Sequence, residues 1–557
     1  MAQLSPGVVV KELDLTTIVP TVASSIGGFV GNFQWGPVLE VNTIGSEDEL
    51  VANYGKPNDA TATAFFTAAN FLSYGDNLKL VRVVGSAAKN STANANAAGL
   101  LVKNRDHYIA NYSAGTTTGY GEFVAKYPGV RGNSIKVSMA DGAVYGTWAY
   151  AAEFTSAPAT SDAANLVTAK YDELHAVVVD ADGTLSGEAG TVLERFPFIS
   201  KATGIKMSDG SSAYYKDVLN ESSKYVWWVK HPAAGTNWGN AAPSTTFANL
   251  ASNLTVTLSG GVSADPTPAD ILEGYDLFDN EEAVTVNLIM TGDGNATVAT
   301  GVIAMVESRK DAIVLLSPPL SAVVNNSGGE ANSIVTFRNA LPSSSFAVLD
   351  SGYKYQYDRY NDTYRWVPLN GDIAGLCART DMTNDPWWSP GGLNRGQIKN
   401  VIKLAFSPSK ANRDTLYSAG VNPVVSMPGQ GTVLYGDKTM LSRPSAFDRI
   451  NVRRLFIVLE TAIAKAAKYS LFEFNDSFTR SQFVSMVEPY LRTVMGRRGI
   501  TAFKVVCDAT NNTPDIIDRN EFVASIFIQP TRSINFITLN FVATRTGVQF
   551  EEVTKIV

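Results

Sequence analysis

Two separated stretches of this chain share one rhythm, short apolar runs alternating with helical windows, and a long polar stretch divides them. From Ser24, Ile26-Gly27-Gly28-Phe29-Val30-Gly31 reads as a buried strand whose glycines let other groups come close. Ser46 sits at capping-box spacing from Glu49 and starts a helix that stops at Gly55, ahead of Pro57. A second helix over 61–74 carries Phe65, Ala68, Ala69 and Leu72 on one face, and Leu78, Leu80 and Val83 mark the next strand. After Asp276 the rhythm resumes: apolar runs at 284–290, 312–317 and 345–349, with helical windows at 298–308 and 332–341. Such alternation predicts βαβ units and a mostly parallel sheet, with 24–87 and 261–409 forming one central α/β domain.

Between them, residues 88–260 are dominated by Ala, Thr, Ser, Gly and Asn, with strand-like runs at 177–179 and 225–229. They read as one or two β-rich inserted domains, tolerated where the ends of the insertion lie close together. Residues 410–544 read as an α+β domain: helices over 452–469 and 478–495, then strands over 503–507, 522–529 and 534–543. Both chain ends look like strands that leave their globular bodies, an arm over 1–23 and another over 545–557. An extended apolar arm without a local partner pairs with a distant part of its own chain or with another chain. Val8, Val10, Leu13 and Leu15 at one end, and Val548, Phe550 and Val553 at the other, are the candidates for strand exchange between subunits.

Charge and composition narrow the function classes. Lys plus Arg is 45 against 52 Asp plus Glu, a net charge of -7, which lacks the basic footprint of a nucleic-acid binder. Charged residues are only 17% of the chain, which fits a surface buried among copies of itself. The basic runs Arg449, Arg453, Arg454 and Arg497, Arg498 lie on amphipathic segments, and the first three read as a candidate polar interface. His107, His175 and His231 have no metal-ligand spacing, and Cys377 and Cys507 read as small core residues in a chain assembled in a reducing cytoplasm. Gly55-Lys56-Pro57 lacks the residues of a phosphate cradle, and no Gly-x-Ser-x-Gly elbow occurs. Asp358-Arg359-Tyr360-Asn361-Asp362 reads as a turn joining two aromatic strands rather than an active site. The opening residues do not read as a secretory signal, and no apolar window is long enough to span a membrane. The expectation is a non-enzyme with no cofactor and no metal.

Long collinear runs then carry a resemblance. They include Leu4-Ser5-Pro6-Gly7, Phe33-Gln34-Trp35-Gly36-Pro37, Tyr353 through Asp362 and Arg365-Trp366-Val367-Pro368-Leu369. Ile373 through Asp381, Tyr435-Gly436-Asp437-Lys438-Thr439, Phe447 through Phe456 and nearly everything from Cys507 to Thr544 extend the match. The chain resembles the contractile tail sheath proteins of T-even-type myophages over about 1–87 and 270–557. The resemblance implies a structural subunit of the virion that stacks as hexameric rings around a tail tube and shortens to drive the tube through the host envelope. It also implies a subtilisin-like central domain without a protease site, inner C-terminal domains knitted together by the arms, and inserts on the outside. Its partners would be further copies of the chain, the tube protein, and baseplate and terminator proteins, without nucleic acid or membrane insertion. The alternatives are the sheath of a related contractile injection system, a subtilisin-like hydrolase, and a static shell or adhesin.

Overall fold

A computed structural model describes residues 19, 22–94, 99–115, 117–232, 237–535 and 537–538. The chain forms two compact bodies, one over Val19–Tyr469 and a smaller one from Ser470 onward. The strand-exchange candidates Val8, Val10, Leu13, Leu15, Val548, Phe550 and Val553 lie outside the described residues.

A seven-stranded sheet organises the larger body, in the order Val421–Asn422, Ala347–Asp350, Ile313–Leu316, Leu288–Met290, Gly27–Gly31, Leu78–Arg82, Val41–Ile44. All neighbouring pairs are parallel except the last. The central strands are near-continuous apolar runs because helices cover both faces. Phe29, Leu80, Leu288, Met290 and Leu315 meet one layer, which holds the helices Ala62–Leu72 and Asn370–Thr383. Val30, Val81, Ile289, Val314 and Leu349 meet the other, holding Pro268–Asp276, Ala296–Arg309 and Glu330–Ala340.

The strand expected over 284–290 is confined to Leu288–Met290, because the amides of Ala283 and Val284 turn back to the Asn280 carbonyl. Residues beyond 409, grouped by sequence with the C-terminal domain, also join this body. Val421–Asn422 extends its sheet, and Ile450 and Ile457 of the helix Ile450–Ala467 enter its core.

Within this body the polar stretch leaves and rejoins the α/β part through a neck of two adjacent crossings, and it also packs on that part, with Arg82 Nη2 donating to the Pro128 carbonyl at 2.7 Å and Trp35 entering its core. Lys89 and Val262 exchange both backbone hydrogen bonds at 2.9 and 3.0 Å, and Thr92 and Ser259 do the same at 2.8 and 2.9 Å. Beyond it lies a four-stranded antiparallel sheet, ordered Thr191–Ser200, Glu173–Asp180, Ile135–Asp141, Leu254–Thr257, around a core that includes Trp148, Trp228 and Trp238. His175 is locked there against Phe154, with ring centroids 4.2 Å apart. Its Nδ1 accepts from the Phe198 amide at 3.0 Å, and Nε2 lies 2.9 Å from the Ser156 carbonyl.

In the smaller body the helix Ser477–Gly496 packs on an antiparallel pair, Ile500–Val506 with Ser525–Pro530. Buried Phe483, Met486, Val487 and Leu491 line that helix, and Phe483 meets Phe522 edge-on at 5.5 Å. The third strand expected over 534–543 falls mostly outside the described residues, and Ile534 and Asn535 are irregular.

Two predictions follow from this packing. A Cβ on Gly371 would lie 2.4 Å from the Thr67 carbonyl oxygen, so the helices Asn370–Thr383 and Ala62–Leu72 meet nearly backbone to backbone. Gly371→Ala, which helix propensity alone favours by up to about 1 kcal/mol, is expected to destabilise by about 1–3 kcal/mol in urea titrations. Burial holds the His175 imidazole below its usual range, and a proton on Nδ1 would break the Phe198 bond. The unfolded chain therefore takes up the proton first as pH falls below about 6.5, and stability declines from there downward. Melting temperatures taken between about pH 7 and pH 5.5 should fall less steeply for His175→Gln than for the parent chain.

Candidate functional site

Open α/β sheets bind ligands in the crevice beyond the carboxyl ends of their strands. In this chain that crevice is filled from within. Asn370, at the start of its helix, accepts from the Gly292 amide at 3.2 Å and donates to the Gly292 carbonyl at 2.6 Å and to Ser317 Oγ at 2.9 Å. Ser317 Oγ also accepts from the Asn370 amide at 3.0 Å and donates to Asp350 Oδ2 at 2.6 Å. Burial pushes the Asp350 carboxyl well up, against the opposing pull of the Ser317 and Gly352 hydrogen bonds. Ser317 and Asp350 thus form a closed structural pair, and among the described residues no imidazole is bonded to either to serve as a general base. Among the described residues no cluster of three or more His, Cys, Asp or Glu could hold a metal ion, and no helix is long and apolar enough to cross a membrane.

Polar groups beneath the neighbouring sheet are also paired internally. Lys354 Nζ donates to Asp372 Oδ1 and to the Lys399 carbonyl, both at 2.9 Å, and the ion pair is fully buried. Tyr74 donates to the same Asp372 oxygen at 3.1 Å, and Asn70 donates to Gln356 at 3.0 Å. Sequence reasoning missed this network because its members lie on four separate segments. The one visible trace was the Tyr-Lys-Tyr-Gln-Tyr alternation at 353–357, which does not say which face turns inward. The turn expected at 358–362 is present: Asp358 accepts from the amides of Tyr360 and Asn361 and from Arg365 Nε at 2.7 Å.

The three arginines read as a candidate interface have different fates. Arg454 is 3% exposed and donates from Nη2 to Asp381 Oδ2 at 2.5 Å and to the Ser24 carbonyl at 3.2 Å. Ser24 Oγ donates to the same Asp381 oxygen at 2.7 Å, so three segments converge on one ion pair. Arg453 is held between Phe346 and Phe447, at 4.3 and 4.0 Å from the ring centroids. Arg449 sits nearer the surface and donates to Tyr417 Oη at 2.8 Å, with Asp437 3.7 Å away. Arg453 and Arg454 therefore point into their own subunit, and their side chains are committed there.

The smaller body has a different character. Two strands leave an unpaired edge on each side of the pair among the described residues, and a lone two-stranded pair is marginal without added strands or a packed helix. Large apolar side chains are exposed nearby in sequence: Leu471, Phe472, Phe474, Phe478, Phe527, Ile534 and Ile537.

For the buried ion pair, Arg454→Met is expected to cost about 3–5 kcal/mol in denaturant titrations, because it strands the Asp381 charge. The double variant Arg454→Met, Asp381→Leu should recover most of that loss.

Comparison with known proteins places this architecture. Family descriptions match three parts of the chain: the tail sheath Gp18 domain III N-terminal region at 25–83, the phage tail sheath central domain at 264–440, and the phage tail sheath C-terminal domain at 442–544. The tail sheath protein of Vibrio phage KVP40 is 35% identical over 686 aligned residues, covering 99% of this chain and 100% of that one. That of Enterobacteria phage T4 is also 35% identical, covering 100% of this chain and 99% of its own length. Salmonella phage ViI supplies a third at 32%, covering 99% and 97%. In fold, the chain is similar to the helical sheath of the anti-feeding prophage in its contracted state (TM-score 0.52, 12% identity, 98% of this chain and 100% of that one). It is also similar to a sheath tail protein from Listeria innocua (TM-score 0.53, 11% identity, 92% and 96%). The chain belongs to the phage tail sheath protein family, the structural subunits of contractile tails.

Proposed function

We propose that the chain polymerises around a tail tube as stacked hexameric rings and that the polymer shortens to drive the tube through the host envelope. The observation that carries this reading is the two-stranded sheet of the smaller body, whose edges can accept strands from other copies. In the proposal the arms 1–23 and 545–557 supply those strands through Val8, Val10, Leu13, Leu15, Val548, Phe550 and Val553. Added strands keep their backbone ladders while the linkers flex, so the bodies turn without parting. Rigid bodies that trade one set of contacts for a slightly better one gain even ~1 kcal/mol per subunit, which sums over many copies.

The rest of the chain takes its role from that scheme. The central α/β domain is subtilisin-like in outline and non-catalytic, which the locked Ser317–Asp350 pair supports. The region 88–260 lies on the outside of the sheath, a placement its narrow neck supports. The C-terminal region up to 544 is the inner layer facing the tube. Baseplate and tail terminator proteins cap the polymer, and the product is part of the virion after assembly in the host cytoplasm. The full-length similarity to phage tail sheaths, at 32–35% identity, favours this over an injection-system sheath, to which the likeness is one of fold.

Electron microscopy of the purified chain is expected to show ordered tubes. Deleting residues 1–19 should abolish them while leaving the far-ultraviolet circular dichroism spectrum of the two bodies in place. Ordered tubes from the truncated chain would overturn the strand-donation scheme.

A further inference from the structure

Trp35 belongs to a loop of the α/β part, Phe33-Gln34-Trp35-Gly36-Pro37, yet its side chain is 5% exposed and sits in the core of the inserted region. Its ring meets Tyr127 edge-on at 5.3 Å and lies 6.4 Å from Tyr225, both residues of the insert. The contact is a peg in a socket, separate in sequence from the neck at Lys89 and Val262.

One cation holds both halves of this joint. Arg82, the last residue of the strand Leu78–Arg82, is 2% exposed. Its Nε donates to the Phe33 carbonyl at 2.8 Å and its Nη1 to the Gly36 carbonyl at 2.7 Å, one on each side of Trp35. Its Nη2 donates to the Pro128 carbonyl at 2.7 Å, next in sequence to Tyr127. The flat guanidinium suits this task because its donors leave in fixed directions. Among the described residues Arg82 has no ion-pair partner, and Asp265, which borders the same small crevice, accepts from Asn32 Nδ2 at 2.9 Å instead. Burial, and to a lesser degree the like charge of Arg131, works against the cation, which the three carbonyls offset.

A neck of two paired crossings is by itself a ribbon of two strands, the least constrained kind of sheet. A second attachment removes that freedom, and a satisfied buried polar group specifies one arrangement among several that apolar packing alone would allow. We propose that Arg82 is a positioning residue: by gripping the backbone on both sides of the Trp35 peg and beside its Tyr127 socket, it fixes the angle at which the inserted region 88–260 sits on the α/β part. The lock lies wholly within the larger body, so it operates in the single chain as well as in a polymer.

The test reads distances in the full chain by pulsed electron paramagnetic resonance. Nitroxide labels go on Ser222→Cys and Ser308→Cys, exposed positions in the inserted region and the α/β part, while the native Cys377 and Cys507 are buried. Labelled chain is diluted with unlabelled chain so that only pairs within one molecule are read. A control pair, Glu188→Cys with Ser222→Cys, sits wholly in the inserted region. The parent should give one narrow distance for each pair. Arg82→Met, and Arg82→Lys, which keeps the charge without the fork, should at least double the width of the first distribution and leave the control as it was. A parent already broad across the two parts, or variants as narrow as the parent, would overturn the lock. Loss of the control distance as well would make Arg82 a general core residue and overturn the positioning role too.

Discussion

The helix Asn370–Thr383 is the element on which the larger body depends. Its glycines let it lie almost backbone to backbone on the helix Ala62–Leu72, and that approach fixes where everything else on it points. Asn370 reaches the strand ends, Asp372 meets Lys354 under the hairpin, and Asp381 meets Arg454 near its far end. One helix thus ties the parallel sheet, the aromatic hairpin, the helix Ile450–Ala467 and the irregular lead-in at Ser24 into one block. Rigidity of this kind is what a subunit needs if it is to turn as a body instead of deforming.

The two bodies of the chain differ in character. In the larger body, Asn370, Ser317 and Asp350 are bonded together at the strand ends, and Lys354 pairs with Asp372 under the hairpin. In the smaller body, the described strands form a single antiparallel pair, with exposed phenylalanines nearby in sequence. The larger body is a solid block, and the chain belongs to a family whose members work as polymers.

Much of this was legible in the order of residues. Parallel strands buried on both faces announce themselves as Ile-Val-Leu-Leu or Ala-Val-Leu runs, and the capped helices between them have clear starts. The inward turn of Arg453 and Arg454 was not legible, since an amphipathic helix does not reveal that Asp381 or the Phe346 and Phe447 rings will meet it from other segments. Gly371 and Gly375 read as weak helix formers, and only their contacts with Thr67 and Tyr74 show why small residues stand there. The division placed at 409 failed for a related reason. Val421–Asn422 is only two residues of strand, too short to be seen before the sheet it completes.

The neck at Lys89 and Val262 has a consequence for how such a chain can vary. Two antiparallel crossings side by side form a hairpin-like stalk, so whatever grows beyond it hangs from a closed loop and adds no strand to the seven-stranded sheet. Material can be added or removed distal to the stalk at little entropic expense. The seven-stranded sheet and the inserted region are therefore free to change at different rates.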